Sequence, residues 1–404
     1  MAKIKNHLWV IITGLVVGIA AVFLAAKGNP GNMGFCIACF IRDTAGAVKL
    51  HTAGVVQYVR PEIIGIVLGA LAMSVIGREF KVKGGSAPVS RFVLGFFVMV
   101  GALMFLGCPL RMVIRLGGGD GNALFGLLGF VLGVGCGTFF LNKGFSFKRS
   151  YDLPKIEGFI LPAIVAILLV LLLVIGPVVA KYAADLKEAT AAATAAATEA
   201  GLDEEATKAA VAAATAEIEA PKTLLAFSLS GPGSQHAPVI IALIAGLLVG
   251  VLAQKSRLCM AGGIRDVFML KDFHLLWGFI AIFVAVLVGN LILGKFKGGF
   301  EGQPVAFNTL ASGNWLWALL GMFLVGFASI LLGGCPLRQL VLAGSGSSDS
   351  VIAVLGMTVG AAFCHNFGFA SSGTGTTANG HIAVIAGIVV TLIIALTNLQ
   401  KVEE

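Results

Sequence analysis

The sequence has little charge and few histidines, and both shortages exclude classes of protein. Charged residues make up only 12% of the 404 residues, whereas 58% are apolar and the mean hydropathy is +0.97. Soluble domains carry about 25% charged residues, so this composition excludes a soluble protein and indicates a polytopic membrane protein. With 6 histidines and 7 dispersed cysteines, the chain also lacks the pattern of haem or iron–sulfur ligation. We therefore expect no cofactor and no metal site.

Long apolar runs fill most of the chain. A transmembrane helix needs about 20 predominantly apolar residues, and the runs are too long and too closely spaced to be strands. Because a lipid core tolerates only helices or closed barrels, the predicted fold class is an all-α polytopic membrane protein with about ten transmembrane helices. The runs cover residues 8–27, 60–78, 90–107, 121–141, 157–180, 237–254, 274–294, 314–333, 350–369 and 381–399.

The formal charge is +8. In a membrane protein, the positions of the basic residues indicate which loops lie in the cytoplasm. Basic residues cluster in two short loops, which the positive-inside rule places in the cytoplasm. Counting spans from these loops puts both termini in the cytoplasm, in a multi-pass protein of the cell membrane, and no nucleic acid partner is expected. Lys295 and Lys297 fall outside in this scheme and oppose it. The clustered basic residues are Arg78, Lys81, Lys83, Arg91, Lys143, Lys148, Arg149 and Lys155.

One segment interrupts the apolar pattern. Residues 181–236 are rich in alanine and carry acidic residues without apolar bulk, which is typical of exposed helices, here interrupted near Gly201 and ended by Pro221. The span count places this segment outside the membrane, between a first repeat at residues 1–180 and a second at residues 237–404. It is interpreted as a solvated spacer; a docking surface for an external partner is the alternative.

The two halves share three features in the same order. Each has a cysteine followed six residues later by Arg-Asp, then the pentapeptide GCPLR, then another cysteine. Similar composition explains similar apolar spans but not matched cysteines and arginines, so two repeats are predicted. The first half has Cys36, Arg42, Asp43, GCPLR at 107–111 and Cys136; the second has Cys259, Arg265, Asp266, GCPLR at 334–338 and Cys364.

The cysteine-bearing segments predict that the repeats are inverted. GNPGNMGFCIACFIRD at 28–43 and QKSRLCMAGGIRD at 254–266 are too short and too rich in glycine to cross a membrane. If they do not cross, each half contributes an odd number of crossings, so equivalent spans have opposite orientation: Cys36 and Cys108 enter from outside and Cys259 and Cys335 from the cytoplasm. Inverted repeats whose short re-entrant helices meet near the bilayer midplane are typical of transporters.

Each residue of GCPLR has a physical use. Glycine permits a tight turn, and proline is favoured in the first turn of a helix, so the cysteine stands at a helix start. Unpaired N–H groups and the positive end of the helix dipole attract anions there. Arg111 and Arg338, one turn later, each add a full charge, and an arginine in a membrane usually faces a cavity or a partner.

The thiols indicate which anion would suit such a path. In apolar surroundings the thiolate is disfavoured, so neutral S–H groups are expected, which are weak donors on soft sulfur. Successive weak contacts also let an ion leave. A path of this kind suits a soft anion containing sulfur or selenium better than a strongly hydrated one such as phosphate. The substrate-path residues predicted are Cys36, Cys108, Cys259, Cys335, Arg111 and Arg338.

Other residues carry weaker predictions. Cys136 and Cys364 lie in span-like sequence, and a small buried residue explains them as well as a place on the path does. Cys39 has Gly262 at its matching position; it could form a redox pair with Cys36, but a single C-x-x-C is a weak signal. Arg42 and Arg265, each followed by aspartate, are either neutralised ion pairs at a helix end or gating residues.

The segments GNMGFCIACFIRD, FLGCPLR, SRLCMAGGIRD and LLGGCPLR resemble those of the YeeE/YedE sulfur-transport membrane proteins, and more closely the YedE-type selenium transporters. The resemblance covers nearly the whole chain except the Ala-rich segment. It implies an hourglass-shaped protein of two inverted halves that passes thiosulfate-like ions inward past cysteines at a constriction. The matched positions are Cys36, Cys108, Cys259 and Cys335. Cys39 and the long acidic segment depart from the shorter thiosulfate carriers.

The predicted function is therefore uptake of a small soft anion across the lipid bilayer, by a transporter and not by an enzyme. A soluble sulfur or selenium carrier protein is a possible partner. One alternative is a membrane thiol or persulfide redox relay that uses Cys36 and Cys39. Another is a structural membrane subunit without transport activity.

Overall fold

The computed structural model describes residues 2–147, 149–303 and 313–400. Lys148, one of the clustered basic residues, lies outside the described residues. Helices form almost all of the regular structure in the described ranges. Those before the Ala-rich segment are α1 Ala2–Ala26, α2 Ile37–Ala47, α3 Pro61–Ile76, α4 Pro88–Phe105, α5 Pro109–Gly117 and α6 Ala123–Asn142.

The remaining helices lie in the connecting region and in the second half. The connecting region contains a 3₁₀ turn at Lys155–Phe159, α7 Ile160–Glu199, α8 Glu204–Ala216 and the single turn α9 Gly231–Ser234. The second half contains α10 Val239–Ser256, α11 Met260–Leu270, α12 His274–Ile292, α13 Trp315–Leu332, α14 Pro336–Gly344, α15 Ser348–Asn366 and α16 Ala378–Thr397.

The predicted all-α polytopic fold is confirmed. Nine helices in the described residues are long and apolar enough to cross a membrane, and the apolar α3, with 16 residues, is slightly shorter. These helices and the ten predicted runs coincide one for one. The four helices that begin next to the path cysteines are much shorter: α2 and α11 have 11 residues each, and α5 and α14 have 9. At about 1.5 Å per residue, each reaches about half of a 30 Å hydrocarbon core.

The helix packing has the two-fold pattern expected of a repeated unit. Helices α1–α6 of the first half correspond in order to α10–α15 of the second. The contact of α1 with α12 then corresponds to that of α10 with α3, and the contact of α6 with α13 to that of α15 with α4. In the same way, the contact of α5 with α12 corresponds to that of α14 with α3. The weaker contacts of the short helices, α2 with α14 and α11 with α5, also exchange. α7 and α16 do not follow this pattern, since α7 packs against α3 and α16 against α4 and α13.

Small residues bring the long helices together. α1 carries Gly14 and Gly18, and a Cβ at these positions would meet backbone of α12 at Gly278 and Ile282. The equivalent Gly246 and Gly250 of α10 face the backbone of α3 at Glu62 and Ile66. The spacing of four residues is the Gly-x-x-x-Gly pattern of closely packed membrane helices, and it occurs once in each half.

The connection between the halves is helical well beyond the membrane-length run. α7 has 40 residues and continues through residue 180, the end of the first predicted repeat, without a break. It ends at Glu199, and α8 then turns back and packs on α7. No residue of α8 is buried. The two loops that carry the clustered basic residues lie on one face, because the short strands β1 Lys83–Gly84 and β2 Tyr151–Asp152 pair antiparallel.

Candidate functional site

The four cysteines predicted to lie on the path occupy equivalent places at the starts of the four short helices. Cys36, Cys108, Cys259 and Cys335 are the N-cap residues of α2, α5, α11 and α14. All four are buried, with at most 6% of the surface exposed. The helix starts predicted at Cys108 and Cys335 are thus present, and Cys36 and Cys259 have the same place on their helices. Their sulfur atoms lie where the unpaired N–H groups of a helix start provide partial positive charge.

The pentapeptide GCPLR forms the same local structure in both halves. The preceding residue closes the long helix in the left-handed conformation, Leu106 with a φ of 58° and Gly333 with a φ of 85°. The arginine side chain then folds back over the glycine: a Cβ at Gly107 would lie 3.0 Å from the Arg111 Cδ, and one at Gly334 would lie 2.8 Å from the Arg338 Cγ. Glycine is required here because it leaves room for the arginine beside the thiol.

The second repeat brings its two thiols into contact. The Sγ atoms of Cys259 and Cys335, which we call the second thiol pair, lie 3.8 Å apart. The Cys259 Sγ also accepts a hydrogen bond from the Gly262 backbone N–H at 3.3 Å, which is the capping bond of α11. Cys335 makes no capping bond with its own helix, so the backbone N–H groups at the start of α14 are not capped by a side chain.

The first repeat has the corresponding arrangement with one thiol more. Cys36 and Cys108, the first thiol pair, are near enough for their side chains to interact. The Cys36 Sγ accepts from the Cys39 backbone N–H at 3.4 Å, as Cys259 does from Gly262. The additional thiol of Cys39 accepts a hydrogen bond from Nη1 of Arg111 at 3.0 Å. Nε of Arg111 donates to the carbonyl of Asn32 at 3.0 Å.

The two equivalent arginines therefore differ in their partners. Arg111 is held by Cys39 and by the α1–α2 loop, residues 27–36. The position that corresponds to Cys39 in the second half is Gly262, which has no side chain to pair with Arg338, and the buried Nη1 of Arg338 has no hydrogen-bond partner among the described residues. Arg338 interacts electrostatically with both members of the second thiol pair. A buried guanidinium N–H without an acceptor is costly, and an anion beside the two thiols would supply that acceptor.

The Arg-Asp pairs are ion pairs within one helix in both halves. Arg42 forms an ion pair with Asp43 at 2.6 Å, and Asp43 also accepts a hydrogen bond from Nε of Arg60 at 2.8 Å, with all three side chains buried. Arg265 contacts Asp266 at 2.7 Å, with 34% and 16% of the two side chains exposed. Charge neutralisation accounts for both pairs, whereas a gating role stays a prediction.

Cys136 and Cys364 are placed apart from the two thiol pairs. Cys136 is half-buried on α6, and Cys364 is fully buried on α15. Within the described ranges, no contact joins either of them to another thiol. Their surroundings match the interpretation as small packing residues. All seven cysteines are free thiols in this structure. The search of the described residues found no group of three or more metal-ligating side chains.

Sequence reasoning missed a buried polar cluster beside the first thiol pair. Its members are Asn29, Tyr58, Arg60 and Glu62, all nearly inaccessible to solvent. Arg60 and Glu62 flank Pro61 at the start of α3, where an acidic residue in the first helical turn is ordinary. Arg60-Pro61-Glu62 at the edge of an apolar run was the available signal, but only the tertiary fold buries it.

The chain was compared with known proteins. Residues 255–400, from the end of α10 through α16, match the family model described as Sulphur transport. Over 118 residues, 29% of its length, the chain is 30% identical to the thiosulfate transporter TsuA of Escherichia coli strain K12. This match spans 31% of that relative's length.

Proposed function

We propose that this chain, whose residues 255–400 match the Sulphur transport family model, takes up a soft sulfur- or selenium-containing anion across the cell membrane. The anion would be thiosulfate or a selenium compound, and it would move past the thiols of the four short helices. The 30% identity to a thiosulfate transporter supports a sulfur anion. Selenium rests on the resemblance to YedE-type transporters, because an S–H donor contacts terminal sulfur and selenium alike.

The second thiol pair with Arg338 is the observation that carries this proposal. Two sulfur atoms 3.8 Å apart offer polarisable contacts to the terminal sulfur of thiosulfate. The unpartnered Nη1 of Arg338 would supply a charge-assisted hydrogen bond to an anionic oxygen. The start of α14 adds N–H groups and the positive end of its dipole. Only one full charge is then committed to the ion, so binding stays weak enough for release.

The first thiol pair would form the second contact site along the path. The contacts of α2 with α14 and of α11 with α5 link the short helices of the two repeats in the centre of the molecule. With repeats at residues 1–180 and 237–404 in opposite orientation, Cys36 and Cys108 would receive the anion from outside. Cys259 and Cys335 would then release it to the cytoplasm, where a soluble sulfur or selenium carrier could accept it.

Uptake of radiolabelled thiosulfate into proteoliposomes tests the proposal. Cys335→Ala and Cys259→Ala should each lower the initial rate at least about tenfold, which corresponds to about 1.4 kcal/mol on the transport barrier. Cys364→Ala is the matched control, because it also removes a buried thiol but none of the path contacts. Uptake that survives in both path variants at normal protein levels would contradict the site assignment.

A thiol or persulfide relay remains the second candidate, and one contact favours it. The Arg111 guanidinium lies 3.0 Å from the Cys39 Sγ, and a positive charge at this distance stabilises a thiolate nucleophile. In this case Cys36→Ser or Cys39→Ser should abolish activity, and mass spectrometry of the wild type should find a mixed disulfide or persulfide on one of these residues. A transporter needs neither covalent product, and its uptake should persist in Cys39→Ser.

A further inference from the structure

Glu62 has a buried carboxyl group that the proposed transport past the thiols does not use. Its side chain is at the start of α3, with 1% of the residue exposed. Oε1 accepts a hydrogen bond from the side-chain amide of Asn29 at 2.7 Å, whereas Oε2 is buried without a partner among the described residues. Gly246 of α10 packs on the backbone of Glu62 as Gly14 of α1 packs on the backbone of Gly278. Gly278 is therefore the position in the second repeat that corresponds to Glu62.

The nearest cation does not pair with Glu62. Arg60 directs its three nitrogen atoms elsewhere: Nε donates to Asp43 at 2.8 Å, Nη2 to the carbonyl of Pro232 at 2.8 Å, and Nη1 to the carbonyl of Gln235 at 3.0 Å. An ionised carboxylate that is buried and half-satisfied is costly, and the neutral form avoids most of this cost. Glu62 is thus suited to exchange a proton.

The other charged groups around Glu62 are few. Arg42 and Asp43 of α2 form an ion pair, and Tyr58 and His236 come from the loops before α3 and α10. The α10 stretch that faces Glu62 and the membrane run of α7 contain no charged residue. α14 contributes Arg338, which interacts with Glu79 at the opposite end of α3. With Arg42, Arg60 and Asp43 ionised, protonation of Glu62 changes this cluster from neutral to a net charge of +1.

Glu62, through Asn29, and Arg111 hold the same loop, which leads to the first thiol pair. The side-chain oxygen of Asn29 accepts from the Ala237 N–H at 2.8 Å, which fixes its amide nitrogen toward Glu62 and toward the carbonyl of Gly34. Arg111 holds the same α1–α2 loop through the carbonyl of Asn32. The loop ends at Cys36. A change of charge on Glu62 therefore acts, through Asn29, on the segment that positions the first thiol of the path.

We infer that Glu62 is a proton-binding site that couples anion uptake to proton movement in the same direction. This inference rests on the proposed function and adds its energy source. Oε2 takes a proton from the outer side as the anion reaches the first thiol pair, and the proton leaves with the anion on the inner side. Added positive charge in the cluster favours an anion nearby, so proton and anion binding strengthen each other.

The outer surface offers a route to Glu62. The Tyr58 hydroxyl is a second buried oxygen without a partner among the described residues, and it lies within electrostatic range of Glu62. The Tyr58 ring stacks on exposed His236, with 4.2 Å between the ring centroids. Both rings line an open cavity of about 1070 Å³ beside α7. Water in this cavity would bring protons to the cluster.

Two assays on reconstituted protein separate this inference from the proposed function. The first is exchange of labelled for unlabelled thiosulfate without any gradient, which needs transport but no energy source. The second is accumulation driven by an inward proton gradient, with the membrane potential held at zero by a potassium ionophore. A gradient of about one pH unit should raise accumulation about tenfold if one proton accompanies each anion. A pH-sensitive dye inside the vesicles should report acidification when thiosulfate is added outside.

The variants are Glu62→Gln, which keeps the shape and the acceptor for Asn29 but cannot take a proton, and Glu188→Gln as an exposed control on α7. Glu62→Gln should lose the gradient-driven accumulation and the dye signal, and its exchange should become independent of pH. Glu188→Gln should match the wild type. Wild-type exchange with no response to the proton gradient and no dye signal would overturn the inference and leave the proposed function intact. Absence of exchange in the wild type would overturn both, and neither result depends on the folding of a variant.

Discussion

At the scale of single residues, equivalent positions of the two repeats carry different chemistry. Asp43 is inaccessible to solvent and joins Arg42 and Arg60, whereas its equivalent Asp266 is partly exposed and pairs with Arg265 alone. A buried carboxylate between two buried arginines cannot be removed without leaving uncompensated charge. A partly exposed pair contributes little because water screens it. The Arg-Asp pair therefore contributes more to stability in the first half than in the second.

Asp43→Asn and Asp266→Asn form a matched pair of variants for this difference. Asp43→Asn should lower the free energy of unfolding by about 3–5 kcal/mol, because two arginines lose their buried counter-charge. Asp266→Asn should cost about 1 kcal/mol or less. Thermal unfolding of the purified proteins in detergent measures both. Equal midpoints for the two variants would contradict the buried-triad account.

The sequence predicted the residues whose chemistry is local and repeated. Cysteine before proline in GCPLR indicated a helix start at Cys108 and Cys335, and both are N-cap residues. Glu62 and Asn29 could not be predicted in this way. They lie 33 positions apart in the chain, and each has an ordinary local explanation, so their contact follows only from the way α3 packs beside the α1–α2 loop.

At the scale of helices, the molecule depends on close approach at glycines. Gly250 of α10 faces the backbone of α3 at Ile66, whereas Gly176 of α7 has no atom closer than 4.0 Å to a built Cβ. In lipid, van der Waals packing between small residues drives helix association, because lipid is as apolar as the side chains. A methyl group at Gly250 must therefore push α3 and α10 apart.

Gly250→Ala should destabilise the protein by about 1–3 kcal/mol, the usual cost of overpacking. Gly176→Ala adds the same methyl group to an open position and should leave stability within about 1 kcal/mol of the wild type. The temperature at which each variant loses its monodisperse peak in size-exclusion chromatography gives the comparison. Equal loss in both variants would contradict the account, because the α3–α10 contact would then not explain the effect.

Helix existence was predictable from the sequence, but helix ends were less so. Each of the ten apolar runs contains one helix because the bilayer length and the hydropathy act locally. α7 extends to Glu199, beyond the apolar run, because alanine has the highest helix propensity. α3 begins at Pro61, one residue after the start of the predicted run, because proline is favoured in the first helical turn. Its start was therefore predictable, whereas the apolar run at 157–180 did not show how far α7 continues.

At the scale of the whole molecule, a symmetric scaffold carries an asymmetric charge pattern. The helix contacts exchange between the halves, yet the first half buries Cys39, Arg60 and Glu62, and in the second half Nη1 of Arg338 has no partner within the part of the chain that the structure describes. In the proposed function, the symmetric scaffold provides two thiol pairs that would accept an anion in turn. The asymmetric charges would give the two sites different affinities, as the inferred proton coupling at Glu62 requires.

The central claim is that soft thiols, and not charge alone, select the anion. The most direct measurement is the ratio of thiosulfate to sulfate uptake in proteoliposomes for the wild type, Cys335→Ser and Cys364→Ser. Serine keeps the size and donor of cysteine but replaces soft sulfur by hard oxygen. The account predicts that Cys335→Ser lowers the ratio about fivefold, equivalent to about 1 kcal/mol, while Cys364→Ser leaves it unchanged. An unchanged ratio in Cys335→Ser, or a wild type that prefers sulfate, would contradict it.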